Sequence, residues 1–233
     1  MYSPHYEAWY NRGIALDQLG KYGEALQSYD RALEIKPDYH EAWYGRGIAL
    51  RQLGKYGEAL QSYDRALEIK PDKHNAWYGR GIALDQLGKY GEALQSYDRA
   101  LEIKPDKHNA WDGRGNALRQ LGKYKEAIQS FDRALEIKPD SSEAWNNRGI
   151  ALSQLGKMKE ALQSYDYALE IKPDKHEVWY NKACVYSLQN QLKNAIENLT
   201  QAIELDPESR DFAKTDTDFD PIRHDPRFQA LIG

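Results

Sequence analysis

The sequence predicts an all-α solenoid of antiparallel helical hairpins, two helices to each 34-residue unit. Three observations carry this. Tryptophan recurs at Trp9, Trp43, Trp77, Trp111, Trp145 and Trp179, always 34 residues apart. Proline recurs with the same period at Pro37, Pro71, Pro105, Pro139, Pro173 and Pro207. Between them, apolar residues fall at three- and four-residue spacings, the period of one helix face. A fixed period of this length marks a repeat array, in which each unit buries its apolar stripe only against its neighbours.

The units run over 6–39, 40–73, 74–107, 108–141, 142–175 and 176–209. Units two and three differ only at Glu41/Asn75 and Arg51/Asp85, a near-identity that implies recent duplication or design. In unit one the first helix carries Ala8, Trp9, Arg12, Ala15, Leu16 and Leu19 along one stripe. Gly20 ends it, as do Gly54, Gly88, Gly122 and Gly156, because glycine readily takes the left-handed position after a helix. Unit six has Asn190 there. A second helix follows from about Glu24 to Ile35, with the stripe Ala25, Leu26, Tyr29, Ala32 and Leu33. Pro37 cannot continue it. Asp38 is placed to cap the next helix. The short link between the two helices makes them antiparallel neighbours.

Trp9, Gly13, Ala25, Tyr29, Ala32 and Pro37, repeated in register through residues 6–209, resemble the signature of the tetratricopeptide repeat. The resemblance implies a right-handed α-solenoid, the superhelix of that family. It also implies that Gly13 and Ala25 let the paired helices approach and that Ala32 admits the next hairpin. The sequence departs from the family where leucine usually follows the tryptophan by three residues. Here stand Arg12, Arg46, Arg80, Arg114, Arg148 and Lys182. One reading is a row of cations gripping an acidic ligand. The favoured one is that their stems pack apolar surface while their heads pair with acids of the second helices, Asp30 and Glu34 and their equivalents.

The resemblance further implies a concave groove lined by the first helices. Positions that vary between copies carry the information there. They are Tyr10, Tyr44, Tyr78, Asp112, Asn146 and Tyr180; then Ile14, Ile48, Ile82, Asn116, Ile150 and Cys184; then Asp17, Arg51, Asp85, Arg119, Ser153 and Ser187. Spacings of three and four put each trio on one helix face. Units one to three therefore offer tyrosine and isoleucine with alternating acid and base, whereas units four and five are polar. Tyrosines give amphipathic contact at low entropic cost. The expected partner site is Tyr10, Asn11, Tyr44, Arg51, Tyr78, Asp112, Asn116, Arg119, Asn146, Asn147, Tyr180 and Asn181. The alternative is that the tyrosines only pack between repeats. Asn11, Asn147 and Asn181 occupy a place where many family members hold a ligand backbone, but Gly45, Gly79 and Gly113 replace it in the middle units. Those glycines reflect either drift among copies or room for something to approach closely. Tyr10, Ile14, Gly45, Asn75 and Gly79 stand where the family's lysine-rich clamp for a terminal carboxylate would need cations, so no such binding is expected.

The ends differ from the middle. Residues 1–5 read as a repeat junction cut short, so the first helix is expected either to follow further chain or to meet a partner. Residues 210–233 read as a closing segment. Asp211 to Lys214 begin a helix, 215–220 are acidic and irregular, and Arg227 to Ile232 form a last turn that folds Phe228 and Leu231 onto unit six.

Charge and chemistry narrow the function. Of 233 residues, 41% are hydrophobic and 29% charged, with a net charge of −4. The mean hydropathy of −0.85 suits a thin repeat layer. The balance lacks the basic stripe of a nucleic-acid binder and gives no pull toward an anionic membrane. No apolar run approaches the roughly 18 residues of a membrane helix, and no leader is visible after Met1, so a cytoplasmic location is expected. Cys184 is the single cysteine, so no intrachain disulfide can form. His40, His74, His108 and His176 recur one repeat apart, a row rather than a converging zinc site. Asp216, Asp218 and Asp220 alternate like the start of a calcium loop, but Pro221 stands where that loop needs glycine and Arg227 where it needs a bidentate glutamate. No nucleophile–base pair, paired carboxylates or phosphate loop stands outside the repeat pattern. The sequence thus predicts neither enzyme, metal nor cofactor. It predicts a scaffold binding a peptide or partner protein in its groove. The alternatives are a self-assembling module forming homo-oligomers and a designed array without ligand. Single-strand stacking on the tyrosines is disfavoured for want of a basic track.

Overall fold

The computed structural model describes residues 5–233, so Ser3 and Pro4 of the expected junction lie outside the described residues. Among the described residues every regular element is helical. They form two compact units, one reaching to Leu121 and one over 122–233. The first holds α1 (His5–Gln18), α2 (Tyr22–Ile35), α3 (His40–Gln52), α4 (Tyr56–Ile69), α5 (His74–Gln86), α6 (Tyr90–Ile103) and α7 (His108–Gln120). The second holds α8 (Tyr124–Ile137), α9 (Ser142–Gln154), α10 (Met158–Ile171), α11 (His176–Leu188), α12 (Leu192–Leu205), α13 (Glu208–Thr215), a 3-10 turn (Thr217–Ile222) and α14 (Pro226–Ile232). Within each unit consecutive helices pack on one another, α1 on α2 and α2 on α3, then α9 on α10 and α10 on α11.

The turns follow the glycines. Gly20, Gly54, Gly88, Gly122 and Gly156 take φ of 71–79°, and Asn190 takes 57°. The Lys21 N–H reaches back to the Leu16 carbonyl at 2.9 Å, closing the first helix in a single left-handed residue. That economy lets the second helix start at Tyr22, two residues before the expected Glu24. The expected Asp38 cap is not formed. Pro37 and Asp38 make a turn, the helix opens at His40, and Tyr39 stands at the cap without a side-chain bond. Asp72, its copy in the next repeat, pairs instead with Lys70 at 3.4 Å. Ser141 does cap, accepting the Ala144 N–H at 3.3 Å.

The core is built from small residues around one large ring per hairpin. Tyr29, Tyr63 and Tyr97 are buried between paired helices, beside buried Ala25, Ala59 and Ala93. Leu50 and Leu84 are fully buried, and truncating either to alanine should cost about 2–5 kcal/mol. The expected stripe overreaches at its end, because Leu53, Leu87 and Leu121 are 41–42% exposed. In α1, Ala8, Arg12 and Ala15 are exposed too, and Leu19, just past its end, reaches 72%. No helix among the described residues covers that side of α1 as α2 covers α3.

The cation row is scaffold. Arg46 Nε donates to Asp30 Oδ1 of the preceding repeat, and its Nη1 donates to Ser62 Oγ of its own hairpin, each at 2.7 Å. Arg80 repeats this on Asp64 and Ser96, Arg148 on Asp132 and Ser164, and Arg114 holds Asp98. Lys182 pairs with Asp166. Each guanidinium also lies over its tryptophan, Arg46 at 5.7 Å from the Trp43 ring. Asp30 is therefore the acid partner. Glu34 is not, since it faces Arg31 on its own helix at 2.6 Å. Among the described residues Arg12 has no preceding acid, and it donates to Ser28 at 2.6 Å.

Candidate functional site

The first-helix face of repeats one to three is assembled from three rows. Tyr10, Tyr44 and Tyr78 are half-buried, each ring 6.0 Å from the buried Tyr29, Tyr63 or Tyr97 of its own hairpin. Burial pushes all three hydroxyls above the ordinary tyrosine range. Ile14, Ile48 and Ile82 follow one turn later, packed against the same cores. The tyrosines thus pack in the fold and still present an edge outward.

The third row decides the chemistry. Tyr29 donates its hydroxyl to Asp17 at 2.8 Å, and Tyr97 donates to Asp85 at 2.6 Å. Burial raises the Asp85 carboxyl to about 6, against the lowering pull of that bond, and raises Asp17 as well. Repeat two has Arg51 at this place. An arginine donates and cannot accept, so the buried Tyr63 hydroxyl has no acceptor for its proton, and among the described residues the only polar side chain acting on its oxygen as a hydrogen-bond donor is Arg51. Burial pushes it up to about 12, with Arg51 the foremost charge opposing. Arg51 forms no ion pair with any described carboxylate, although it acts electrostatically on both Tyr44 and Tyr78. Arg119, half-buried, likewise has a buried Nε without a partner.

Small clefts open beside the tyrosines. One of about 180 Å³ is lined by His40, Glu41, Tyr44, Lys73 and Asn75. Its copy one repeat on, about 90 Å³, is lined by His74, Asn75, Tyr78, Lys107 and Asn109. His40 and His74 are half-buried, each with a buried Nε2 lacking a partner, and desolvation lowers their pKa. Another cleft, about 810 Å³ around Trp77 and Arg80, is formed largely by the second helices. Its charges are already paired, Arg80 with Asp64 and Arg99 with Glu102 inside it, Asp98 with Arg114 and Glu68 with Arg65 at its edge.

In the second unit the face is polar, then closed. Asn181 donates to Asn146 at 3.0 Å, joining neighbouring repeats. Asn146 also lines a cleft of about 110 Å³ with Ser142, Glu143, Lys175 and Glu177. Tyr180 is covered by the chain's own tail. Its hydroxyl donates to Asp216 at 2.8 Å and its ring meets Phe219 edge-on at 5.6 Å. Phe219, Ile222, Phe228 and Ile232 are buried with Cys184, Ala195 and Leu199, while Leu231 packs at the margin. Phe219, unnamed by the repeat pattern, is the tail residue set against Tyr180.

Cys184, Asp216 and Asp218 bring ligand atoms within 4.8 Å of one another. Asp216 is already committed, with Oδ1 taking the Asp218 N–H at 2.9 Å and Oδ2 the Tyr180 hydroxyl. Asp220 turns away to Arg223. Burial first, and the nearby carboxylates second, push the Cys184 thiol up, the reverse of an activated nucleophile.

Of the remaining expected site residues, Asn11 is exposed, and Asp112, Asn116 and Asn147 are half-buried. The glycines that replace the asparagine are explained by packing. A Cβ on Gly45 would lie 2.7 Å from the Tyr29 ring of the preceding repeat, and Gly79 and Gly113 meet Tyr63 and Tyr97 in the same way. What approaches closely is a neighbouring repeat. The informative signal in the sequence was the alternation Asp17, Arg51, Asp85 against an unvarying tyrosine.

No helix among the described residues is long and apolar enough to cross a membrane. Models described as tetratricopeptide repeat match residues 6–39, 36–74, 44–108, 142–175 and 176–209, and one described as TPR repeat matches 115–156. No curated protein matches the chain. Among solved structures, YrrB, described as a TPR protein with an unusual peptide-binding site, is 26% identical, with 77% of this chain and 93% of that one covered and a TM-score of 0.64. PilF of Pseudomonas aeruginosa is 18% identical over 92% and 94%, with a TM-score of 0.75. MamA from Desulfovibrio magneticus RS-1 is 20% identical over 75% and 99%, with a TM-score of 0.70. The last two likenesses are of fold.

Proposed function

The chain belongs to the tetratricopeptide repeat family, and from that premise we propose that it is a non-enzymatic scaffold binding a peptide or partner-protein segment along its first helices. One observation carries this reading. Repeats two and three are otherwise identical, and both of their differences fall on that face: Glu41/Asn75 in the clefts beside Tyr44 and Tyr78, and Arg51/Asp85 one helix end away. The scaffold cations of repeats two to six are paired with acids, whereas Arg51 on this face has none among the described residues. The peptide site ascribed to YrrB supports the reading as an analogy of family. The test is a peptide-display selection on the chain and on a Tyr44→Ala/Tyr78→Ala variant. A motif enriched on the first and lost on the second supports the proposal. Enrichment indifferent to the variant sinks it.

A second reading is self-association through α1. Its exposed Ala8, Arg12 and Ala15 match Ala42, Arg46 and Ala49 of α3, where the alanines are buried and the arginine reaches Asp30 of the preceding repeat, and exposed Leu19 adjoins them just past the helix end. Light scattering that shows mass rising with concentration, and Leu19→Lys abolishing the rise, would favour it.

A further inference from the structure

Repeat two breaks a pattern that its neighbours keep. In repeats one and three a core tyrosine finds its acceptor in an aspartate of the same hairpin, Tyr29 in Asp17 and Tyr97 in Asp85. In repeat two the fully buried Tyr63 has no acceptor, and the residue facing it is Arg51, a second donor. A buried hydroxyl without an acceptor is costly but closed to solvent, whereas the half-buried cation above it is open, and a carboxylate from outside would relieve its want of an acid. The chain supplies none within ion-pair distance among the described residues. Glu41 on the same face is engaged at 2.9 Å by His40, and Lys73 adds a second positive charge to the adjoining cleft.

The chain's own tail provides the stereochemistry of such a contact. Asp216 receives the hydroxyl of Tyr180, the repeat-six counterpart of Tyr44 and Tyr78, and Phe219 packs edge-on against that ring. The aromatic follows the acid by three positions, and a 3-10 turn brings i and i+3 onto one side. Arg223 holds the turn by donating to the Lys214 and Asp216 carbonyls. In repeats two and three the equivalent tyrosines stand beside Ile48 and Ile82 instead of Cys184, an equally apolar floor.

We infer that the face of repeats two and three recognises a partner segment carrying an acidic side chain followed three residues later by an aromatic one. The carboxylate is received by Arg51 beside Tyr44 and Tyr78, and the aromatic ring packs on the tyrosine–isoleucine surface. This rests on the groove reading above and specifies its ligand. It differs from capture of a chain-terminal carboxylate, because the acid is an internal side chain and the positions of the family's lysine clamp hold no lysine here.

The experiment is fluorescence anisotropy of a labelled peptide copying residues 214–223, titrated with the full chain, with a thermal melt confirming that each variant folds. Saturable binding is expected. Arg51→Gln should weaken it about tenfold or more, as loss of a charged anchor does at interfaces, and Arg51→Lys should recover part. Asp216→Asn or Phe219→Ala made in the peptide should each reduce binding. No saturation below about 1 mM, or equal affinity for chain and Arg51→Gln variant, overturns the inference; in the second case the peptide is held elsewhere, as by displacing the tail at repeat six. A display selection that depends on Tyr44 and Tyr78 yet enriches segments without acids also overturns it while leaving the groove reading intact.

Discussion

Single residues here are set by what one ring leaves free. Gly47 lies in α3 with a would-be Cβ 2.6 Å from the Tyr63 ring, whereas Gly57 in α4 has nothing within 4 Å. Alanine gains up to about 1 kcal/mol of helix propensity at either place, but overpacking at Gly47 costs about 1–3 kcal/mol. Gly57→Ala should therefore raise the denaturant midpoint and Gly47→Ala lower it, both read from urea titrations. Lys125 and Lys159 already stand at the Gly57 position in repeats four and five. Asp85 gives a pH signature. Its carboxyl, near 3.9 when unfolded, sits at about 6 in the fold because burial disfavours its charge. Below pH 4 it is protonated in both states and costs nothing. Between pH 4 and 6 the unfolded chain ionises first, so stability falls as pH rises, and above 6 the loss is complete. Asp85→Asn keeps an acceptor for Tyr97 and removes the charge. Relative to the parent it should gain stability from pH 4 to 7 by about 1 kcal/mol after allowance for solvent screening, measured as the difference between paired melts. The tryptophans, glycines and buried tyrosines were legible one by one in the sequence because packing demands their size. The partners of the arginines were half legible. Asp30 follows from the spacing, but only the register of neighbouring hairpins rules out Glu34, which its own helix claims.

A hairpin is the element that repeats, and near-identical copies act as controls for one another. Their boundaries came from glycine and proline to within two residues. The cap at Asp38 was misread because the Pro-Asp turn consumes the position from which a side chain would reach the first amides. The hairpins also offer one substitution in three settings. Tyr97→Phe removes a donor and strands the buried Asp85 oxygen, so a loss of about 1–2 kcal/mol is expected. Tyr29→Phe should behave alike against Asp17. Tyr63→Phe removes a hydroxyl that has no acceptor, so it should be neutral or stabilising by a few tenths of a kcal/mol, within the ordinary net worth of one bond. Repeat four carries Phe131, fully buried, at this place. Equal losses in all three variants, measured by urea unfolding, would show that Tyr63 has an acceptor within its own hairpin.

At the scale of the whole molecule, a repeat array has no single core, so its stability is local and its ends open first. The sequence read residues 210–233 as a closing segment but gave no place for its middle, which lies across the face of α11. Nothing in the repeat code says where a non-repeating stretch will settle, and the buried ring, Phe219, sits among acids that suggest exposure. Cys184 turns this contact into a measurement. It is the one thiol of the chain, buried beneath Phe219 and Asp216. Reaction with a thiol reagent therefore reports undocking of the tail or opening of repeat six. In the native chain labelling should be slow and should accelerate with denaturant well before global unfolding by circular dichroism, as expected for a local opening. Phe219→Ala removes a fully buried ring, worth about 3–5 kcal/mol in a well-packed site. If tail docking protects the thiol, labelling should quicken by about a hundredfold or more, while the circular dichroism of repeats one to five stays unchanged. A small increase would mean that α14, through Phe228 and Ile232, holds the cover in place without the 3-10 turn, and Phe228→Ala should then produce the large effect. Fast labelling of the parent chain would mean that the tail is not docked in solution, which would also withdraw its use as a template for the partner segment.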